Sequence, residues 1–205
     1  ADIGVVVNRT GNRDLKPETG RTLTAGLVFS PSRNLHVSVD YFRVTLDNQV
    51  DDLSLDTLAR AEARCSPINI AREKTSGIDL AFRGSVPTGI GTFTLSLAHS
   101  HVFKHTFQQY PGDPFINKLA ADSGYYLPRD KSNGSISYEN EGFQLTFSGT
   151  RLGKLPNYDE DAFIKASYLF NTTLQYDFTD HLRGSLSVVN LFDTNPVRDP
   201  TYASY

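Results

Sequence analysis

The sequence predicts an all-β protein, with about eight antiparallel strands that form a segment of a transmembrane β-barrel. Three observations support this fold class. Side chains alternate between apolar and polar with a period of two, the predicted strands are long, and short connections alternate with long ones. A hydrophobic content of 39% with 21% charged residues is typical of a folded chain and excludes a disordered one.

The clearest alternation lies near residues 164–178. Even positions from Tyr168 to Phe178 are mostly apolar, whereas the odd positions include Asn171 and Gln175. This pattern gives a strand one apolar and one mostly polar face. Strands are predicted near residues 20–30, 36–47, 75–86, 92–104, 130–138, 143–152, 164–178 and 183–193. At about 9 to 13 residues they exceed ordinary strands and are long enough to cross a bilayer when tilted.

The predicted connections alternate in length. Short turns are expected near residues 31–34, 87–91, 139–142 and 179–181, and longer polar segments near 48–74, 105–129 and 153–163. Outer-membrane barrels have tight periplasmic turns and long outer loops. A short helix over residues 55–64, capped by Ser54, is the single predicted helix. Aromatic residues at strand ends suggest interfacial girdles, with Tyr41, Tyr138, Tyr168 and Phe178 as members.

Alternation alone is also compatible with a secreted β-sandwich that binds carbohydrate or protein, because such a fold buries its apolar faces in a core. The order of connections favours a barrel segment. The first predicted connection is a short turn, and the last strand runs outward with no strand to return it. The chain is therefore expected to be an interior piece of a larger barrel rather than a closed eight-stranded one.

Several function classes find no support in the sequence. The net charge of -3 and the absence of any Lys/Arg cluster argue against a nucleic-acid partner. The chain contains no catalytic or phosphate-binding motif, so neither an enzyme nor a cofactor site is predicted. Its one cysteine, Cys65, has no internal disulfide partner.

Histidines give the most prominent candidate for a metal site. His99 and His101 would share one face of a strand, with His105 nearby, and imidazole pairs of this kind bind transition metals. No carboxylate or cysteine lies close to them along the chain. These histidines also continue the alternation of Phe93, Leu95 and Leu97, which favours a position at the outer interface where the strand leaves the lipid. For these reasons no metal site is predicted.

Four segments resemble the TonB-dependent outer-membrane receptors. NRDLKPET at residues 12–19 is similar to the family's N-P-x-L-K-P-E-x segment, although Arg13 stands where proline is usual. VDYFRV at 39–44 resembles D-Y-[FY]-x-I, KTSGID at 74–79 resembles x-x-G-[IV]-[DE], and NLFD at 190–193 resembles the close of the penultimate strand. The four occur in family order.

This resemblance implies a barrel of about 22 strands, of which residues 1–205 would form a partial domain without the plug domain and the final strand. It implies residence in the bacterial outer membrane, with lipid around the wall. It also implies active uptake of a scarce ligand, such as a ferric siderophore, cobalamin or oligosaccharide. The TonB complex would act through the missing N-terminal region.

The loop near residues 105–129 is the expected ligand-binding segment. It carries four aromatic side chains, Tyr110, Phe115, Tyr125 and Tyr126. Aromatic rings suit stacking on a sugar or an aryl chelate.

Overall fold

The computed structural model describes residues 11–51 and 67–202, and its regular structure is almost entirely antiparallel sheet. Within those ranges the strands are β1 Thr19–Ser32, β2 Leu35–Asp51, β3 Ile68–Thr88, β4 Gly91–Gln108, β5 Ile116–Asn117, β6 Asp130–Asn140, β7 Phe143–Leu152, β8 Leu155–Pro156, β9 Phe163–Ile164, β10 Ser167–Thr179 and β11 Leu182–Val188. A short 3-10 helix, Ala121–Ser123, follows β5. The predicted helix over residues 55–64 lies outside the described ranges. No described helix is long and apolar enough to span a membrane.

Eight long strands form one meander in the order β1-β2-β3-β4-β6-β7-β10-β11. This arrangement confirms the predicted all-β class and number of strands. Tight hairpins leave only residues 33–34, 89–90, 141–142 and 180–181 between their strands, and the longer connections follow β2, β4 and β7. In the third hairpin Glu141 and Gly142 both have positive φ, 44° and 81°. A turn of this kind matches the twist of the strands it joins.

Strand register collects the apolar side chains on one face of the sheet. Leu27 pairs with Val39 and Val39 with Leu80, while Leu174 on β10 pairs with Leu186 on β11. Directly opposed residues of antiparallel strands point to the same side. This apolar face is not covered, because Leu27 is 80% exposed and Leu186 64% exposed. A barrel that sits in lipid presents such a band outward.

Polar side chains occupy the opposite face. Gln144 and Gln175 are paired across β7 and β10, and the hydroxyls of Thr173 and Ser187 lie 3.1 Å apart across β10 and β11. The interior of outer-membrane barrels is polar. This polar face therefore corresponds to the lumen side of the wall.

A sandwich core is missing from the described part of the chain. Ala71 and Leu119 are the only hydrophobic residues there that are buried. The second sheet consists of β8 and β9 alone, each two residues long. The structure thus gives no support to the alternative of a secreted β-sandwich.

An aromatic row marks the tight-turn end of the sheet. The ring of Tyr138 lies 4.9 Å from that of Phe93 and 6.1 Å from that of Phe143, and the rings of Tyr176 and Phe178 are 5.0 Å apart. Rows of this kind are typical of the membrane interface. Tyr138 and Phe178 hold the positions expected of girdle residues.

The predicted end of the last strand at residue 193 is wrong, because β11 ends at Val188. Asn190 adopts a left-handed conformation with φ 56°, and its side-chain oxygen accepts a hydrogen bond from the Thr194 amide at 2.9 Å. The chain turns at this point. The amide of Leu191 still donates to the Phe170 carbonyl at 2.7 Å, which holds the turn against β10.

A bulge in β4 changes which side chains share a face. Gly77 on β3 pairs with Val102 and Ser76 pairs with Lys104, so Phe103 has no partner on β3. The extra residue reverses the alternation that follows it. His105 consequently lies on the polar face, whereas His101 lies on the apolar face.

Candidate functional site

The long-loop end of β3 and β4 carries the first of two groups of functional interest. β5 pairs with the end of β4 and folds the loop of residues 109–129 back onto the wall. The backbone amide of Lys118 then donates to the His105 carbonyl at 2.9 Å. These contacts bring the predicted ligand-binding loop against the strands.

Lys118 is the centre of this first group, the Lys118 cluster, which also contains Glu73, His105, Phe107 and Tyr125. The Lys118 ammonium lies 2.7 Å from a Glu73 oxygen, and the same oxygen is hydrogen-bonded to His105. The ammonium also lies over the rings of Phe107 and Tyr125, at 4.7 and 4.6 Å from their centres. Because Glu73 balances its charge, Lys118 anchors the loop to the polar face.

The second group lines a cavity of about 630 Å³. Tyr126 comes from the loop of residues 109–129, and Tyr158 comes from the connection between β8 and β9. Residues 195–199 and Tyr202, which follow β11, complete the wall. We call this site the tyrosine cavity. It opens at the long-loop end, and its volume is within the range of small-molecule sites.

Hydrogen bonds hold the segment after β11 against the connection between β8 and β9. Asp199 accepts from the Tyr158 amide at 2.6 Å, and the Thr201 hydroxyl accepts from the Asp159 amide at 3.3 Å. The rings of Tyr158 and Tyr202 meet edge to face, 5.0 Å apart. The cavity is therefore built by contacts between segments far apart in sequence.

Buried Asn157 shapes that connection from within. Its side-chain oxygen accepts from the amides of Asp161 and Ala162, at 3.1 and 2.9 Å. Its side-chain nitrogen donates to Asp161 at 2.6 Å. An asparagine with all these partners fixes a loop in one conformation, and so it sets the position of Tyr158.

The surroundings of Tyr126 shift the pKa of its hydroxyl. Partial desolvation, followed by the charges of Glu160 and Asp199, raises the pKa of Tyr126 above its ordinary value. The Thr201 hydroxyl, as a hydrogen-bond donor, lowers the pKa of Asp199. The cavity thus presents a phenol that donates a hydrogen bond and, at Arg198, an exposed guanidinium.

The four aromatic residues expected to bind ligand do not form one group. Tyr125 belongs to the Lys118 cluster and Tyr126 to the tyrosine cavity. Phe115 lies over the Lys74 ammonium at 5.0 Å, on the side of the apolar face. Tyr110 lies in a turn that its own carbonyl closes with the Asp113 amide at 3.1 Å.

Sequence reasoning missed Tyr158, Arg198 and Tyr202. All three lie outside the aromatic loop, and only the fold brings them to Tyr126. Their residue types were informative, but no pattern along the chain connects residue 158 with residues 198–202.

One premise of the histidine interpretation is wrong. The prediction of no metal site assumed that no carboxylate lay near them, but Asp130 on β6 pairs directly with His101 on β4. His105 is separated from both partners by the bulge at Phe103 and belongs to the Lys118 cluster.

Comparison with known families decides the identity of this wall. Residues 2–191 match the family model described as TonB dependent receptor-like, beta-barrel. The chain belongs to the TonB-dependent receptor family. This confirms the resemblance seen in the four sequence segments, and it places the protein in the bacterial outer membrane. The family is one of transport receptors.

A curated relative of this TonB-dependent receptor is the iron-regulated outer membrane virulence protein of Vibrio cholerae. The two are 25% identical over 97% of this chain and 30% of the relative. The chain therefore spans less than a third of the length of that relative.

Solved structures confirm the fold. The FrpB iron transporter of Neisseria meningitidis superimposes with a TM-score of 0.69 at 18% identity, covering 92% of this chain and 29% of that one. The ferric-catecholate import receptor Fiu of E. coli K12 gives 0.60 at 17%, covering 89% and 24%. The Pseudomonas aeruginosa ferripyoverdine receptor, solved with ferripyoverdine bound, gives 0.62 at 16%, covering 88% and 24%.

Proposed function

We propose that this chain forms part of the barrel wall and outer vestibule of a receptor that imports a ferric siderophore by TonB-coupled transport. The tyrosine cavity is the observation that carries the proposal. Three phenol rings, those of Tyr126, Tyr158 and Tyr202, and the Arg198 guanidinium line one site at the long-loop end.

The chemistry of the cavity favours an anionic aryl chelate of iron. Flat phenol rings stack on catechol rings, and Arg198 supplies a positive charge for the complex. The Asp199 carboxylate also lines the cavity, but it is engaged by hydrogen bonds from Tyr158 and Thr201. Tyr126 offers a neutral phenol that donates a hydrogen bond. It would thus hold the chelate by its outer atoms and leave the iron with its own ligands. The similar solved structures include an iron transporter and a ferric-catecholate import receptor, which supports this ligand class.

In the proposed transport, the strands of the barrel wall act as a rigid support. These strands are held by continuous ladders, and the Lys118 cluster fixes the aromatic loop to them. We assign ligand capture to the aromatic loop and the tyrosine cavity. We assign energy coupling to contacts between TonB and the rest of the whole receptor.

Ligand binding to the whole receptor, purified in detergent, tests the proposal. Ferric enterobactin, as an iron tricatecholate, is compared with a ferric hydroxamate and with cobalamin by fluorescence quenching or calorimetry. We expect the tricatecholate to bind, and Tyr126→Ala and Arg198→Ala each to weaken it about tenfold. Phe178→Ala, which removes a ring at the opposite end of the sheet, is the matched control and should not change affinity.

Two outcomes would contradict the proposal. Binding of cobalamin with no binding of any ferric chelate would assign the receptor to another ligand class. Ferric chelate binding that is unchanged in Tyr126→Ala and Arg198→Ala would remove the tyrosine cavity from the site.

A further inference from the structure

Two neighbouring strands bring three metal-ligating side chains together on the apolar face. His99 and His101 are two residues apart on β4 and so point the same way. Asp130, the first residue of β6, is directly opposite His101 in the register. One ligand atom from each of the three lies within 4.8 Å of the other two.

The distances require little rearrangement to hold an ion. His101 Nδ1 lies 2.5 Å, and His99 Nε2 lies 3.8 Å, from the same Asp130 oxygen. Ligand atoms around a tetrahedral zinc ion, at bond lengths of about 2.0 to 2.1 Å, are roughly 3.3 Å apart. Side-chain rotations that move these atoms by about 1 Å therefore suffice.

Ser132 orients the first histidine. Its hydroxyl lies 2.8 Å from His99 Nδ1, because Ser132 pairs with His99 across the same two strands. When Nδ1 donates this hydrogen bond, Nε2 keeps its lone pair and faces Asp130. Second partners of this kind fix the tautomer and ring orientation of metal-binding histidines.

The backbone around Asp130 is held from both sides. The Asp130 carbonyl accepts from the Gly153 amide at 2.7 Å, and the Arg129 carbonyl accepts from the Val102 amide at 2.9 Å. A Cβ at Gly153 would lie only 2.7 Å from the Asp130 carbonyl oxygen, so the glycine permits this close approach. Ligands on such fixed strands bind an ion without a large ordering cost.

From this geometry we propose that His99, His101 and Asp130 form a site for a divalent metal ion such as Zn²⁺ on the outward face of the barrel. Two imidazoles with one carboxylate suit Zn²⁺, Ni²⁺ or Cu²⁺, whereas Ca²⁺ and Mg²⁺ prefer sites built from oxygen atoms. Asp130 begins β6, so the site lies at the long-loop end of the apolar face, at the outer edge of the membrane band. The three side chains are between 27% and 37% exposed, so an ion reaches them from that edge and keeps water in its remaining positions.

Metal titration of the whole receptor tests this site. The receptor is purified without a histidine tag, stripped with a chelator, and titrated with Zn²⁺ by calorimetry and with Co²⁺ by visible absorption. We expect one saturable site that His99→Ala and Asp130→Asn each weaken at least about tenfold. His181→Ala, at the exposed tight turn between β10 and β11, is the matched control and should leave this site intact.

Ser132→Ala provides a test that leaves all three ligands in place. Loss of the partner on Nδ1 is expected to weaken Zn²⁺ binding about 10- to 100-fold, and to change the Co²⁺ spectrum. Each variant is checked for folding by its heat-modifiable mobility on gels. His99→Gln replaces His99→Ala if that variant fails to fold. The site is rejected if the wild type binds no Zn²⁺, or if its Zn²⁺ affinity and Co²⁺ spectrum are the same in the folded His99 and Asp130 variants.

Discussion

The carboxylate of Asp199 accepts a hydrogen bond of 2.6 Å from the backbone amide of Tyr158, 41 positions earlier in the chain. This contact joins the segment after β11 to the connection between β8 and β9. Since both segments line the tyrosine cavity, this hydrogen bond sets the separation of its walls together with the bond from the Asp159 amide to the Thr201 hydroxyl.

Removing that carboxylate should open the cavity without unfolding the barrel. In Asp199→Ala the Tyr158 amide and the Thr201 hydroxyl lose their acceptor, so residues 195–202 are expected to separate from the loop. Ferric tricatecholate affinity, measured by fluorescence quenching on the whole receptor, should fall about tenfold. Asp180→Ala, in a tight turn at the other end, is the control. Equal affinity in the two variants would show that docking of this segment is irrelevant to binding.

The same docking of residues 195–202 should be lost at acidic pH. Hydrogen bonding from Thr201 lowers the pKa of Asp199 below its ordinary value of 3.8. A depressed pKa means that the stabilisation is complete above the ordinary value and is lost as the pH falls through the lowered one. Hydrogen exchange at the Tyr158 amide measures this, with Asp199→Asn as reference at each pH. We expect protection above the reference at pH 5 that disappears under strongly acidic conditions. Equal exchange at pH 5 would refute the prediction.

Charge on the apolar face should be costly. Leu174 pairs with Leu145 on one side and Leu186 on the other, so its side chain faces lipid. Leu174→Arg is expected to destabilise the barrel by about 2 to 4 kcal/mol, the cost of arginine near the bilayer midplane. Urea unfolding of the receptor in lipid vesicles measures the change.

Gln175→Arg is the matched control for that substitution. Gln175 pairs with Gln144 and Ser185 on the polar face, where a guanidinium remains in water. We expect its effect on the free energy of unfolding to be well below that of Leu174→Arg. Similar losses in both variants would mean that the two faces are assigned incorrectly.

Replacing the glycine beside the β4 bulge should destabilise the barrel. A Cβ at Gly77 would lie 2.4 Å from the His101 carbonyl oxygen and 2.6 Å from the Phe42 ring. Because one of these atoms is backbone, relief requires the strands to move apart. Gly77→Ala is expected to cost about 1 to 3 kcal/mol in the free energy of unfolding, measured as above. Ser76→Ala, one position away, should cost less, and the opposite ranking would contradict the geometry.

Local pattern was enough to predict the strands. Alternation from Tyr168 to Phe178 and turn residues such as those at 141–142 depend only on near neighbours, and both predictions were confirmed. The residues at which strands begin were predicted less accurately. β3 begins at Ile68 instead of near 75, because the wall continues beyond the apolar part that the pattern detects.

The candidate sites depend on register, which local pattern does not specify. Asp130 meets His101 because β4 and β6 align residues 29 positions apart. The bulge at Phe103 then removes His105 from the group, although simple alternation along β4 would place it on the same face as His99 and His101. Similarly, Tyr125 and Tyr126 are neighbours that contribute to different groups.

The length of β3 has a consequence for capture of a ligand. Its 21 residues extend over roughly 70 Å along the strand at about 3.3 Å per residue. At a tilt of about 40° this corresponds to a height of about 50 to 55 Å, whereas the apolar band of such barrels is only about 25 Å tall. Much of the strand therefore extends beyond the apolar band as regular, ordered sheet. Residues fixed in this way have lost their conformational entropy, about 1 to 2 kcal/mol for each backbone unit, during folding. For the proposed ligand, this means that the surface at Glu73 and Phe107 is ordered before binding, so that binding there costs little further backbone entropy.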